Sequence, residues 1–365
     1  MTILEVAASS RIGGVETYLL RLAAHLRSEN HRVIFVTRAG APLARETRQL
    51  GFETYDWFRG GKNPLTVLKL ARLMRAERVD LVHTHIFSAN SLGALAAKIA
   101  NVPSVARVPA TEGPEHYNRS TYVTAVSQSV ARNLVEQGFP ARKIRVFYNG
   151  VDWKHFDRLP TKNEARNQFG LPADAFVVLC AASLTPRKGQ KFLLEAISHL
   201  PADVHLLLCG EGGEEAALRE TAAKLNLGNR VHFAGFLSDV RPALAASDVF
   251  VLPSLHEGLP NVVLEALAAR VPAIATDIAG TPEIIESGKT GFLVPPGEVA
   301  PLLSALERLR SDAALRARFA QSGRELVESR FDGARCLDEV ETFLMDAIAA
   351  WRSNKSLLPD SHFEG

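Results

Sequence analysis

Cysteine is scarce here, and its placement excludes a disulfide framework. Cys180, Cys209 and Cys336 are the only three in 365 residues, and their separation matches neither a zinc site nor paired bridges. Cys180 and Cys209 close the apolar runs Phe176-Val177-Val178-Leu179 and Leu206-Leu207-Leu208, where buried free thiols are expected. No apolar run approaches the roughly 20 residues of a membrane-crossing helix. The chain opens at once on strand-like Ile3-Leu4-Glu5-Val6, without a basic segment leading into an apolar one, so the cytoplasm is the expected compartment. No G-x-G-x-x-G is present, which removes a dinucleotide fingerprint, and no G-x-x-x-x-G-K-[ST], which removes a P-loop. No D-x-D ends a strand, so neither a metal clamp nor another cofactor is expected.

Net charge is also small, +2 at pH 7, but it is uneven. Residues 1–152 hold 20 Lys and Arg against 12 Asp and Glu, a balance of +8, and the remainder stands at −6. A basic half points to an anionic partner or an anionic membrane surface. The stretch Trp57-Phe58-Arg59-Gly60-Gly61-Lys62 mixes aromatic and basic residues near an expected loop, which suits peripheral binding at the inner face of the cytoplasmic membrane. No nucleic-acid partner is expected.

What the sequence does contain is alternation. Strand-like runs at 2–8, 32–37, 52–55, 80–85, 104–108, 122–127 and 144–148 are separated by helix-period segments such as 64–76 and 91–100. The turn Asn149-Gly150-Val151-Asp152 marks a boundary. A second series follows, with strands at 176–182, 204–209, 231–233, 249–252 and 272–276. Repeated βα units of this kind imply two α/β domains with parallel, doubly wound sheets. The first is expected over 1–152 and the second over 153–335. The apolar stripe Leu337, Val340, Phe343, Leu344 and Ile348 marks a last helix at 336–352, and 353–365 reads as a mobile tail.

One stretch organises the second series. Asp248-Val249-Phe250-Val251-Leu252-Pro253 reads as a buried strand, and Val262 opens a helical pattern. Between them lies Ser254-Leu255-His256-Glu257-Gly258-Leu259-Pro260-Asn261. Pro260 suits the first helical position. A helix N-terminus presents free N–H groups and the positive end of the helix dipole, a site for phosphate. Glu257 precedes this helix and Glu265 lies roughly 7–8 Å along its axis. Phosphate at the helix end and hydroxyl-bearing rings near each carboxylate describe a nucleotide sugar.

Glu257, seven residues, then Glu265 resembles the E-x7-E signature of retaining GT-B glycosyltransferases of family 4, the glycosyl transferases group 1. Other motifs appear in that family's order. Gly13-Gly14, between the first strand and its helix, resembles the G-G loop that faces the donor diphosphate. His85, ending the strand Asp80-Leu81-Val82-His83-Thr84-His85, resembles the histidine that contacts the donor sugar. Asn149-Gly150-Val151-Asp152 is similar to the turn leading into the inter-domain linker, and Lys188-Gly189 matches the family's K-G. An arginine usual before the leucine of that loop is replaced by Ser183, which leaves Arg187 as the substitute.

The resemblance implies a GT-B fold, two Rossmann-like domains facing a central cleft, with the last helix returning to the first domain. It implies a nucleotide-diphosphate sugar held mainly by the second domain and a glycan or lipid-linked acceptor held by the first. Lys188 and Arg187 would neutralise the leaving diphosphate without a metal. Glu265 would bind the ribose. Glu257, His85 and the backbone of Gly258, Leu259, Asn261 and Val262 would hold the sugar, and the loop at Gly235 and Phe236 the base. Glu257, His85 and Lys188 are the expected catalytic residues, with the leaving phosphate itself taking the acceptor proton. A UDP-hexose donor and a product in lipopolysaccharide or other envelope glycans are expected. The alternatives are a non-catalytic nucleotide-sugar-binding module, and an inverting GT-B transferase or epimerase. His83 and His85 share one strand face, but with no third ligand nearby they do not read as a metal site.

Overall fold

The computed structural model describes residues 1–10, 12–59, 63–111 and 113–354. Two compact units divide the chain: Met1–Asn149 together with the chain from Arg335, and Gly150–Ala334.

The first unit is built on seven parallel strands: β1 (Thr2–Ala7), β2 (Arg32–Arg38), β3 (Glu53–Phe58), β4 (Leu81–His85), β5 (Ser104–Val108), β6 (Tyr122–Ala125) and β7 (Ile144–Val146). Their order is β3-β2-β1-β4-β5-β6-β7. Period-2 alternation sends Ile3, Phe35 and Val105 to one face, against Leu19, Leu22 and Leu26 of the helix Gly14–Ser28. Leu4, Ile34 and Val36 go to the other, against Val67, Leu70 and Met74 of the helix Pro64–Ala76. The last helix, Gly333–Arg352, lays Val340, Phe343, Leu344 and Ile348 on the first of these faces.

The second unit carries β8 (Phe176–Ala181), β9 (Val204–Cys209), β10 (Val231–Gly235), β11 (Val249–Leu252), β12 (Ala273–Thr276) and β13 (Gly291–Val294). These are parallel in the order β10-β9-β8-β11-β12-β13. In each sheet the order of winding reverses once, between β1 and β4 and between β8 and β11. Ligands of open α/β sheets bind beyond the strand ends at such switch points.

Three expectations need correction. The strand expected at 52–55 runs on to Phe58, so Trp57 and Phe58 belong to β3, Phe58 is buried, and Trp57 lies under the Lys69 ammonium at 4.1 Å. Gly60, Gly61 and Lys62 of that stretch fall outside the described residues, as do Arg11 and residues 355–365 of the expected tail. The helix expected at 91–100 begins at Phe87, because Ile86 caps it with φ 69°, a conformation that no sequence signal marks. Pro260 is the N-cap rather than the first helical residue; its φ of −77° and ψ of 101° leave the chain extended, and the helix runs Asn261–Ala268.

Candidate functional site

The second unit brings two loops together at its switch point. After β8, Pro186–Lys188 forms a 3-10 turn closed by Gly189 at φ 65°. A Cβ on Gly189 would lie 2.1 Å from the Pro253 carbonyl oxygen, so only glycine allows this backbone contact. Gly212 plays the same part beside it, since its Cβ would lie 2.0 Å from the Leu184 carbonyl oxygen. The loop after β11 is fixed by three hydrogen bonds. Leu255 N–H donates to the Arg187 carbonyl at 2.7 Å, Gly280 N–H to the Gly258 carbonyl at 2.9 Å, and the Thr276 hydroxyl to the Ser254 carbonyl at 2.6 Å.

This frame brings Lys188 Nζ to 2.5 Å from Glu257 Oε1, with the side chains 18% and 10% exposed. The pair is largely withdrawn from water. Beneath it the buried Cys180 thiol is pushed up to about 12 by desolvation and stays protonated. Arg187, next in sequence, is exposed, and its guanidinium has no ion pair among the described residues. Just past Glu257 the helix Asn261–Ala268 begins, and its N-cap Pro260 offers no capping side chain. Leu259 is buried below this helix end, and Asn261 and Val262 are its first residues. Glu265 is one turn on from Asn261 on the same helical face, half-buried. At the end of β10, Gly235 takes φ 68° and accepts the Gly210 N–H at 2.7 Å. Phe236 follows it with 59% exposure, an aromatic face presented to solvent beside the strand ends.

In the first unit, Gly13 caps the helix that starts at Gly14, and its N–H donates to Glu16 Oε2 at 2.8 Å. That N–H is therefore already taken. His85 ends β4 at the other switch point, and it is fully buried. Its Nε2 is 2.7 Å from Glu5 Oε2, while His83 Nδ1 is 3.2 Å from Glu5 Oε1. Register explains the cluster: Glu5 of β1 sits directly beside His83 of β4, and Ala7 beside His85. Burial alone would raise the Glu5 carboxyl, but His83 and His85 bring it down to about 2. Burial, reinforced by His83, pushes His85 down to about 4, with Glu5 opposing.

Glu5 thus supplies the third potential ligand that His83 and His85 lack in sequence, and the three present ligand atoms within 4.8 Å of one another. The geometry nevertheless fits hydrogen bonding better than a metal. The contacts to Glu5 are of hydrogen-bond length, and the outward nitrogens, His83 Nε2 and His85 Nδ1, have no acceptor among the described residues. A metal-bound imidazole almost always has one. Arg107 of β5, beside His85 in register, adds a buried positive charge. It stacks 3.8 Å over the Tyr18 ring and donates to Asn149 Oδ1 at 2.5 Å.

The structure therefore brings Lys188 and Glu257 together, links Arg187 to Leu255 through backbone alone, and encloses His85. Glu5 escaped the sequence reading. The available signal was a carboxylate inside the apolar run Ile3-Leu4-Glu5-Val6-Ala7, since a charge in a buried strand requires a partner.

Comparison with known proteins agrees with this layout. Residues 161–326 match the family model for glycosyl transferases group 1, and residues 12–154 that for glycosyltransferase family 4. A lipopolysaccharide core biosynthesis glycosyltransferase, LpsE of Rhizobium meliloti (strain 1021), is 29% identical over 87% of this chain and 92% of its own length. The Escherichia coli UDP-Gal:alpha-D-GlcNAc-diphosphoundecaprenol alpha-1,3-galactosyltransferase is 26% identical, covering 79% of this chain and 80% of its own. Among solved structures, Anabaena Alr3699/HepE in complex with UDP-glucose superposes with a TM-score of 0.87 at 28% identity, over 94% of this chain and 99% of that one.

Proposed function

Because this chain belongs to the glycosyl transferases group 1 of family 4, and is a glycosyltransferase of the GT-B type, we propose that it moves a hexose from a UDP-sugar to a glycan or lipid-linked acceptor of the cell envelope, with retention of configuration. The carrying observation is the Lys188–Glu257 pair held at the β8/β11 switch point against a helix N-terminus. An ammonium pre-positioned there, with the dipole end of the helix, stabilises the charge that grows on a departing diphosphate. No metal is assigned to that task. Glu257 then faces the positive charge developing on the sugar, Glu265 takes the ribose hydroxyls, and Phe236 stacks on the base. Gly258, Leu259, Asn261 and Val262 provide the backbone against which the sugar and phosphates lie. Retention follows if the leaving phosphate accepts the proton of the incoming hydroxyl on the same face.

UDP-glucose, UDP-galactose, GDP-mannose and the free nucleotides are compared in a thermal-shift screen, since a ligand of the folded state raises its melting temperature. The expected result is stabilisation by a UDP-hexose, followed by transfer to an acceptor with the α-anomer retained by NMR. Binding without transfer or hydrolysis would favour a non-catalytic sugar-nucleotide module, and a β-linked product would favour inversion.

We also propose weak docking on anionic membranes. The helix Pro64–Ala76 turns Leu65 and Leu68 to solvent, 72% and 46% exposed, beside the exposed Lys69, Arg72 and Arg75. An apolar ridge among basic side chains suits an interfacial helix. No described helix is long and apolar enough to cross a membrane. Equal, negligible sedimentation with anionic and neutral vesicles would remove this proposal.

A further inference from the structure

We propose that Glu5 is a positioning residue that fixes His85 in its Nε2–H tautomer, so that Nδ1 of His85 is kept as a hydrogen-bond acceptor for a sugar hydroxyl. The inference rests on the glycosyltransferase reading above. Its first step, the tautomer, is testable without it.

The geometry leaves little choice. An ionised carboxylate only accepts hydrogen bonds, and Glu5 faces His85 Nε2 at 2.7 Å and His83 Nδ1 at 3.2 Å, all three residues being buried. Each facing nitrogen therefore carries a proton. In a neutral imidazole the proton on one nitrogen makes the other an acceptor, and the partner of the first decides which it is. His85 is held neutral near pH 7 by its burial and by His83. Nδ1 is then a bare lone pair, buried and without a hydrogen-bond partner among the described residues. Leaving it so is costly unless something donates to it.

A second observation points to the same place. Ile86, immediately after His85, has φ 69° and ψ 120°. For a β-branched residue this is a true outlier. Such strain costs on the order of 1–3 kcal/mol and gathers at functional sites. Here it turns the chain sharply from β4 into the helix Phe87–Ala100, holding His85 at the strand end where open α/β sheets receive ligands. Arg107, buried in the same sheet, adds a weaker influence of the opposite sign to Glu5.

The test joins a spectrum to kinetics. Long-range 1H–15N correlation at the imidazoles of the full chain should show His85 as a single Nε2–H tautomer at pH 7. Glu5→Leu removes both acceptors while filling the volume, and Glu5→Gln leaves one acceptor for two N–H groups, so it serves if the leucine variant does not fold. The variant should lose the single His85 tautomer, and kcat/KM should fall on the order of 10–100-fold, the scale of losing a residue that orients another. UDP-glucose and UDP then separate the two sources of the hydroxyl. Weaker binding of UDP-glucose with UDP unchanged assigns it to the donor sugar, and a raised KM for acceptor alone assigns it to the acceptor. The proposal is overturned by a wild-type Nδ1–H tautomer, by a His85 tautomer that ignores the substitution, or by wild-type kcat/KM in a variant whose tautomer has changed. Failure of the wild type to bind either nucleotide would instead count against the glycosyltransferase reading, and the spectrum would still decide the tautomer.

Discussion

The two sheets share a winding pattern and differ in what they bury. Across the C-terminal ends of the second unit's strands, neighbours in register are Leu252, Ala275 and Leu293, with Ala181 beside Cys209. The corresponding row in the first unit runs Thr37, Ala7, His85, Arg107 and Thr124. Four of those five residues carry a buried polar atom with no hydrogen-bond partner among the described residues: Thr37 Oγ1, His85 Nδ1, Arg107 Nη1 and Thr124 Oγ1. The second unit keeps this row apolar, its His205–His232 pair lying nearer the strand starts, and holds the Lys188–Glu257 pair in loops beyond the sheet. The first unit builds its polar groups into the sheet. Chemistry mounted on loops can be removed with less harm to the fold than chemistry inside a sheet, which is also part of the core.

The sharpest way to break this contrast is Arg107→Ala. It removes a buried guanidinium from Tyr18 and Asn149 and leaves Glu5 with less compensating charge. Removing one partner from a buried charge network costs about 3–5 kcal/mol. Denaturant unfolding of the first unit should show that loss, and Arg107→Lys should recover little of it because a lysine cannot reproduce the planar stacking. A loss below about 1 kcal/mol would mean that the buried row is not energetically linked.

Lys188→Ala is the counterpart in the second unit. Turnover should fall on the order of 10²–10³, as when one preorganised donor is removed from a charge-stabilising site. Glu257, 10% exposed, would be left without its ion pair, so the unfolding midpoint should fall, but by less than for Arg107→Ala, whose guanidinium is 2% exposed. Equal damage to stability and activity would erase the distinction between loop-mounted and sheet-built chemistry.

The same contrast explains what could be read from the chain. Parallel strands buried on both faces are continuous apolar runs, so β1, β8, β9 and β11 stood out. β3 was read only over 52–55, short of its end at Phe58, because it mixes polar and aromatic residues. Lys188, Glu257 and Glu265 were legible because each belongs to a motif a few residues long. The Glu5–His83–His85 cluster was not, since it joins positions 78 and 80 residues apart and depends on the register of two strands that no local pattern states. The corrections at Pro260 and Phe87 are of another kind: a proline φ suits both the cap and the first turn, and the positive φ of Ile86 contradicts its own residue preference.

Acid offers a smaller probe, read in the first unit through His85 and in the second through the paired His205 and His232, whose burial also lowers them from 6.5. His85 titrates at about 4 in the folded chain against an ordinary 6.5. Between those values the unfolded chain binds a proton that the folded chain refuses, so stability is full above about 6.5 and drains away as pH falls toward 4. Glu5, at about 2 against 4.5, adds a loss of the same sign as pH falls from 4.5. The groups facing His85 are Glu5, His83 and Arg107. His85 by itself contributes a slope approaching about 1.4 kcal/mol per pH unit, on top of that from His205 and His232. His85→Asn should flatten the curve between pH 6.5 and 4.5. An unchanged curve would place the acid sensitivity elsewhere.

The smallest expected effect separates two neighbours in one loop. Lys188 and Arg187 are adjacent cations, yet only Lys188 is held, by Glu257 at 2.5 Å. Arg187 contributes its carbonyl to Leu255 N–H, a contact that survives any side-chain change, while its guanidinium stays in water. A solvated charge interacts through a high dielectric and must be ordered by the ligand itself, which limits it to about 0.2–1 kcal/mol. Arg187→Ala should therefore lower kcat/KM by no more than about fivefold, and added salt should shrink even that difference. A loss matching that of Lys188→Ala would mean that the diphosphate recruits Arg187 as a full partner in place of the arginine that Ser183 lacks. The preorganisation assigned to Lys188 alone would then belong to the loop as a whole.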